Sequence, residues 1–379
     1  MNNILIFGNG QIGTAVKTIL RRFQRPAQKT IPKTLAQTFD SYYAEDNVFQ
    51  QCKIYTCDIS PNDDVDITLD LHTQPSKDIF QQLKNLSITH VINAMPFSFA
   101  EKIAKAAVAA QCHYIDFTED DEMAEKVMSI YSGSNLTCAS KCGVAPGFIN
   151  YVANSLIKKI DVPETLMISV GALPRTACFR NDDPGSSYNL SWSVDGLVNE
   201  YIKPCSVRMK GKEISIPPLT GLETVLIDGI AYEAAFTSGG IGSLVQDLKR
   251  IPNVYYKTLR YPGHFSYVSE VIKRHNSEFE PIKKEFIQKF PFNSDHVVVV
   301  FAECIGSMRG KRLRREVYTS KFIGANGLTA IQSTTAGGGL AVLELILKGE
   351  LSGIVTHSSV PLSSFTNTQV YKHTYFSKT

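Results

Sequence analysis

The sequence has no strong excess of either charge, since 39 basic and 36 acidic residues leave a formal net charge of +3. A protein built to grip nucleic acid carries a basic face and a high isoelectric point, so that class is set aside. Nor is there a run of roughly 18 uncharged apolar residues, the length a bilayer span requires. The opening MNNILIFG lacks the charged, apolar and cleavage regions of a secretory leader. The expectation is a protein of the cytoplasm that meets neither membrane nor nucleic acid. Its eight cysteines, at 52, 57, 112, 138, 142, 178, 205 and 304, form no pair at metal-ligand spacing. They read as free thiols, mostly core filler, with no metal site. Internal repeats and low-complexity tracts are also missing. What is left is an ordinary globular composition, 43% hydrophobic and 20% charged, over 379 residues. That length exceeds what one core usually organises, so two domains and a small-molecule enzyme are the default expectation.

Ile4 to Phe7 is a short apolar run that ends directly in Gly8, and Gln11 to Arg22 then has helical apolar spacing at Ile12, Val16, Ile19 and Leu20. From Arg25 to Gln51 the pattern dissolves into a polar stretch, longer than a usual connection and read as an insertion. Strand patterns follow at Lys53–Cys57, Asp66–Leu71, His90–Ala94, His113–Phe117 and Leu136–Ser140. Helical patterns lie between them at Lys77–Leu86, Ala100–Ala110 and Glu122–Tyr131. Strands alternating with helices at this spacing predict an α/β fold with a Rossmann-type doubly wound parallel sheet.

After Gly147 the character changes. Phe148–Lys158 is helical, and Leu166–Gly171, Val207–Ile216, Val297–Cys304 and Arg314–Ile323 are strand-like. The last two suggest an antiparallel pair joined by a basic, solvated turn around Arg309–Arg312. Ser333–Leu347 is a long apolar helix that could fold back onto the first domain. The expected organisation is a dinucleotide-binding domain over 1–148, completed by 333–379, with an inserted α+β substrate and dimerisation domain over 149–332.

Gly8-Asn9-Gly10-Gln11-Ile12-Gly13 matches G-x-G-x-x-G, immediately after a strand and at the opening of a helix. Gly8 permits the tight turn, Gly10 lets a pyrophosphate approach the backbone, and Gly13 allows close packing of helix on strand. The helix terminus offers unpaired N–H groups and a positive dipole to the phosphates. An acidic residue is due at the end of the second strand for the adenosine ribose, and Asp58 is the candidate, with a turn cap as its plainer alternative. It lies 45 residues past Gly13, a longer spacing assigned to the polar insertion. Its charge would repel a 2′-phosphate, which favours NAD slightly over NADP.

Asn93-Ala94-Met95-Pro96, His113 to Asp120, Cys142 to Phe148, Tyr188 to Tyr201, Thr237 to Gly240 and Leu259 to His264 together resemble the saccharopine dehydrogenase and lysine dehydrogenase superfamily. The resemblance covers nearly the whole chain outside the polar insertion. It implies an NAD(P)-linked enzyme that oxidises a carbon–nitrogen bond of an amino acid, or runs the reverse, with a Rossmann domain, an inserted α+β domain and an active site in the cleft between them. Homodimers are common in the family, so a homodimer is expected. The leading reaction is that of saccharopine dehydrogenase; lysine 6-dehydrogenase and carboxynorspermidine reductase are the near alternatives. A sensor that binds NAD without turnover is the alternative from another class.

The loops at the carboxyl ends of the strands select Asn93, Ala94, Met95, Pro96, Cys142 and Gly143 for the cofactor. Asp116 and Glu119 are candidates for proton transfer or for binding the substrate amine, although acidic residues there also fit a helix start. His264 is a candidate acid or base, or merely a turn hydrogen-bonder. Substrate carboxylates call for arginine, with Arg260 first and Arg175 second. Saccharopine needs partners for three carboxylates and lysine for one, and Arg175, Arg180, Arg208 and Arg260 keep saccharopine open. Tyr188, Asn189 and Trp192 read as cleft residues, with the single tryptophan equally able to be core. The glycines of Thr334 to Gly339 either bring a second helix terminus to the cofactor or serve close helix packing.

Overall fold

β1 (Asn3–Phe7) is buried along its last four residues, and α1 (Gln11–Gln24) follows its glycine turn with Ala15, Val16, Ile19, Leu20 and Phe23 turned inward. A computed structural model of the protein describes residues 2–24, 47–62, 64–175, 188–308, 312–324 and 326–377. Most of the expected polar insertion, together with Cys178 and Arg180, lies outside them. The chain continues through β2 (Lys53–Asp58), β3 (Ile67–Thr68), α2 (Ser76–Asn85), β4 (His90–Asn93), α3 (Ala100–Ala109), β5 (His113–Asp116), α4 (Asp121–Tyr131) and β6 (Cys138–Ala139). These strands are parallel, in the order β6-β5-β4-β1-β2-β3. The winding changes direction at β1, and in such sheets ligands bind outside the carboxyl ends of the strands at that point. The expected strand at Asp66–Leu71 shrinks to two residues. Asp66 there spends its carboxylate on the Thr56 N–H, at 2.7 Å.

The chain then builds α5 (Phe148–Ile157), β7 (Val162–Pro174), α6 (Val194–Ile202), β8 (Cys205–Met209), β9 (Lys212–Ile216), β10 (Glu223–Ile227), β11 (Ile230–Phe236), α7 (Leu244–Asp247), β12 (Asn253–Arg260), α8 (His264–Arg274), α9 (Phe279–Lys289), β13 (His296–Met308) and β14 (Arg312–Ile323). The second sheet runs β10-β11-β12-β7-β13-β14, mostly antiparallel, with the β8–β9 hairpin beside β12. Val207–Ile216 is thus a hairpin and not one strand, because Lys210 and Gly211 both take left-handed backbone angles. Val297 to Ala302 is buried at every position, which explains an unbroken apolar run where a half-buried strand would alternate. β13 and β14 pair as expected; residues 309–311 of the basic turn lie outside the described residues.

α10 (Ala330–Leu347), β15 (Ile354–Val355), α11 (Leu362–Asn367), α12 (Gln369–Thr374) and β16 (Phe376–Ser377) close the chain. β15 extends the parallel sheet beside β6, whereas β16 pairs with β14. The chain therefore forms two units, Met1–Gly143 with Thr335–Thr374 and Val144–Thr334 with Tyr375–Thr379. The last residues, expected with the first domain, stand in the second. α10 has the length and apolarity of a membrane span, which the sequence reading did not anticipate, but 78% of it is buried inside the protein.

Two histidines of the parallel-sheet unit are buried uncharged. His90 stacks on His113 with ring centroids 4.8 Å apart, and burial, aided by the charge of His113, pushes it down to about 3. His357 is pushed down to about 4, again by burial first. Below pH 6.5 the unfolded chain takes up protons that these folded histidines refuse, so stability falls as pH falls. Between pH 7 and 5 each contributes a loss of about 2 kcal/mol. Thermal unfolding followed across that range is expected to show this decline, and His90→Asn and His357→Asn to flatten it; unchanged slopes would refute the assignment.

Candidate functional site

The glycine turn stands at the carboxyl end of β1. Gly8 has φ of +96° and donates its N–H to the Cys57 carbonyl at 2.8 Å. A Cβ on Gly13 would lie 1.8 Å from the Gly8 carbonyl oxygen, so only glycine lets the helix start this close to the strand. Gly10 and Gln11 are exposed and Ile12 half-buried. The Thr14 N–H makes its helical bond to Gly10 at 2.9 Å, which leaves the N–H groups of Gln11, Ile12 and Gly13 without acceptors inside the helix. Asp58 sits beside this turn. Its Oδ2 accepts the Asn9 N–H at 2.6 Å and its Oδ1 the Ser60 N–H at 3.1 Å. The loop after β4 supplies half-buried Ala94 and Met95 and exposed Pro96. A dinucleotide fits these residues: open N–H groups for phosphates, a carboxylate for ribose hydroxyls and a shallow turn for a flat ring.

Several predicted site residues face inward. Asn93 is 2% exposed and works on its own loop, its Oδ1 accepting the Met95 N–H at 3.0 Å. Asp116 is 1% exposed. Burial raises its carboxyl above the usual range, against the pull of Ser140 and the Lys141 N–H. Glu119 is exposed, and the cap of α4 is Asp120, which accepts the Met123 N–H at 2.9 Å. Cys142 is a buried wall residue whose thiol turns toward the Ser140 carbonyl, 3.7 Å away. Gly143 is buried too; a Cβ on Gly338 of α10 would meet the Cys142 and Gly143 carbonyls at 2.6 and 2.7 Å. The late glycine run thus serves close packing. The seven cysteines among the described residues are buried and form no disulfide with one another.

In the second unit Tyr188, Trp192, Arg260 and His264 come together, but as an interior network. Arg260 is 2% exposed and all three of its nitrogens are used, Nε on the Tyr201 hydroxyl at 2.8 Å, Nη1 on the Leu259 carbonyl at 2.9 Å and Nη2 on Glu200 at 3.1 Å. The expected carboxylate fork is therefore already taken by the chain's own glutamate. His264 is fully buried with Nε2 3.0 Å from the Tyr201 hydroxyl. Burial first, then the Arg260 charge, holds it well below the ordinary histidine range, so it stays neutral at pH 7 and is corrected from acid–base candidate to core residue. Trp192 donates to the Tyr188 hydroxyl at 3.0 Å and packs over Gly196; Tyr188 is fully buried, whereas Trp192 is half-buried at the edge of the network. Asn189 and Ser191 alternate with them along the chain, are 6% and 7% exposed, and have no hydrogen-bond partner for Nδ2 and Oγ among the described residues. Of the predicted group in this unit, Asn189 Nδ2 and His264 Nδ1 have no hydrogen-bond partner among the described residues, and Ser191 was missed. Arg175 pairs with Asp295 at 3.7 Å on the surface, and Arg208 is spent on the Val245 and Gly211 carbonyls.

A parallel sheet wound in this order around a glycine turn, with an α+β unit inserted in the chain, defines a Rossmann-type α/β fold of two units. Residues 143–372 match the family model of the saccharopine dehydrogenase C-terminal domain, and the chain belongs to the saccharopine dehydrogenase family. Its fold is similar to that of apo saccharopine dehydrogenase (L-Glu forming) from Saccharomyces cerevisiae, with a TM-score of 0.73 and 13% identity over 100% of this chain and 99% of that one. It is also similar to homospermidine synthase from Legionella pneumophila in complex with NAD, with a TM-score of 0.68 and 11% identity over 99% of this chain and 90% of that one.

Proposed function

We propose that this chain is an NAD(P)-dependent oxidoreductase acting on the CH–NH bond of an amino acid or related amine, with NAD the favoured cofactor. The observation that carries the reading is Asp58, whose carboxylate binds the Asn9 N–H at the glycine turn. There it suits adenosine ribose hydroxyls and repels a 2′-phosphate. The N–H groups of Gln11, Ile12 and Gly13 would hold the pyrophosphate, and Ala94-Met95-Pro96 the nicotinamide ribose. When bound, an oxidised nicotinamide would supply the hydride acceptor for oxidation of the carbon that bears nitrogen. The nitrogen loses a proton in the same oxidation, and water adds across the resulting C=N bond to release a carbonyl compound and an amine. Glu119, exposed on the loop after β5, is the carboxylate best suited to accept that proton.

Saccharopine, split with NAD(P) and water into glutamate and aminoadipate semialdehyde, is the first substrate to test. A second reading, lysine or a carboxynorspermidine-type amine with fewer carboxylates, is favoured by the internal use of Arg260 and Arg208. Purified protein is to be assayed by reduced-nicotinamide absorbance with NAD or NADP and each of the three amines. Glutamate release from saccharopine supports the first reading, and turnover of lysine or carboxynorspermidine alone the second. Silence with all three despite cofactor binding would defeat both and leave either another amine substrate or the non-catalytic NAD sensor. A clear preference for NADP would overturn the role of Asp58.

A further inference from the structure

We infer that Asp116 is a positioning residue, which ties the loops after β5 and β6 and, alongside the Tyr114–Asn93 bond to the loop after β4, builds one rim for the nicotinamide half of the cofactor, and which exchanges no proton with substrate. The inference rests on the proposed dinucleotide site and assigns residues to its architecture that the site reading leaves without a role.

Asp116 is the last residue of β5 and lies in register with Asn93, the last residue of β4. Its Oδ1 accepts three hydrogen bonds, from Ser140 Oγ at 2.7 Å, the Lys141 N–H at 3.0 Å and the Thr118 N–H at 3.2 Å. Its carbonyl accepts the Cys142 N–H at 3.0 Å. One residue thereby fixes its own loop and the loop after β6. Tyr114, on the same face of β5 two residues earlier, carries the tie to the other side. Its hydroxyl accepts from Asn93 Nδ2 at 2.9 Å, and Asn93 Oδ1 accepts the Met95 N–H at 3.0 Å.

The β6 loop needs such a tie. Lys141 has φ of +63°, a left-handed backbone that costs a non-glycine residue roughly 1–2 kcal/mol. Three attachments hold it there: its N–H on Asp116, its ammonium in an ion pair with Asp121 at the start of α4, and its carbonyl on His357 Nε2 at 3.2 Å. The carboxylate is 1% exposed, with three donors on Oδ1 and Oδ2 buried without a partner among the described residues; this burial places it poorly for a base, which must reach the proton it removes. It is well placed to make a rim rigid, and misplacing a bound ring by about 1 Å can cost about a hundredfold in rate.

In the doubly wound fold the adenosine half lies over β1 and β2 and the nicotinamide half over β4 to β6, so the two halves can be probed separately. Asp116→Asn keeps an acceptor for the three donors; Asp116→Ala removes it; Ser140→Ala removes one bond and leaves the rest. Binding of NADH and of ADP to the full chain is to be measured by fluorescence and calorimetry. Asp116→Ala is expected to weaken NADH by about tenfold or more, with ADP within about twofold of the parent. Asp116→Asn is expected to restore most of the NADH affinity, and Ser140→Ala to fall between. Equal losses for ADP and NADH would mean a general fold defect, and unchanged NADH affinity in both Asp116→Ala and Ser140→Ala would mean no clamp; either overturns the proposal. With an active amine, Asp116→Asn is expected to keep both limbs of the pH–rate profile, whereas normal NADH binding with a lost limb would make Asp116 the catalytic base. The binding arms decide the matter even if no amine is turned over.

Discussion

Arg260→Ala is expected to lower the stability of the protein by about 3–5 kcal/mol, the cost of leaving a buried charge without its partner. Glu200 is 7% exposed and would retain only hydroxyls, Thr237 Oγ1 at 3.2 Å and Thr258 Oγ1, against its negative charge. The guanidinium also lies 4.9 Å from the centroid of the Tyr188 ring and bonds Tyr201, so the substitution strips packing from the aromatic cluster of Tyr188, Tyr201, Phe265 and Phe290 as well. At roughly 2–4 °C per kcal/mol for a unit of this size, the thermal midpoint should drop by on the order of 10 °C. A double variant, Arg260→Met with Glu200→Gln, removes both charges and should recover a large part of the loss. A substrate-binding arginine behaves otherwise: its removal raises KM and leaves the midpoint nearly unmoved. That second pattern would restore Arg260 to the role the sequence suggested and contradict the interior network.

The contrast between Arg260 and the glycine turn shows which parts of a site are legible before a structure exists. The turn is local. Strand, three glycines and helix are contiguous, the backbone geometry follows from residue type, and Gly8 and Gly13 stand where the motif requires. The position of Asp58 at the end of β2 was reachable by the same logic, because a strand end is fixed by its neighbours. Elements were legible wherever burial on one face imposed a period, as in α1, and also where burial on both faces erased it, as in β13. Arg260, His264 and Asp116 failed for a different reason: whether a charged side chain meets a ligand or its own chain depends on partners distant in sequence. Glu200 stands sixty residues from Arg260 and Ser140 twenty-four from Asp116, and no local pattern connects them. A buried acid and a catalytic acid look the same until the donors around them are placed. The alternation Tyr188-Asn189-Leu190-Ser191-Trp192 shows the same limit, since its first four residues are all buried and the tryptophan is the half-buried one.

Gly13→Ala and Gly10→Ala separate the structural demand of the turn from its role in binding. A Cβ at Gly13 lands 1.8 Å from the Gly8 carbonyl oxygen and 2.8 Å from its carbon. Both are backbone atoms that cannot yield without breaking the bonds from Gly8 to Cys57 and from Asn9 to Asp58. Gly13→Ala should therefore lose about 1–3 kcal/mol of stability and at least about a hundredfold in NADH affinity, because the turn and the ribose carboxylate move together. A Cβ at Gly10 meets no protein atom within 4 Å. Gly10→Ala should leave the thermal midpoint within about 1 °C of the parent, as neutral surface changes do, and still weaken NADH by about tenfold or more, because the added methyl group occupies the space a pyrophosphate needs. Thermal unfolding and NADH titration on the two variants read these effects apart. If Gly10→Ala binds NADH as tightly as the parent, the phosphates do not approach at Gly10, and the turn is structural alone.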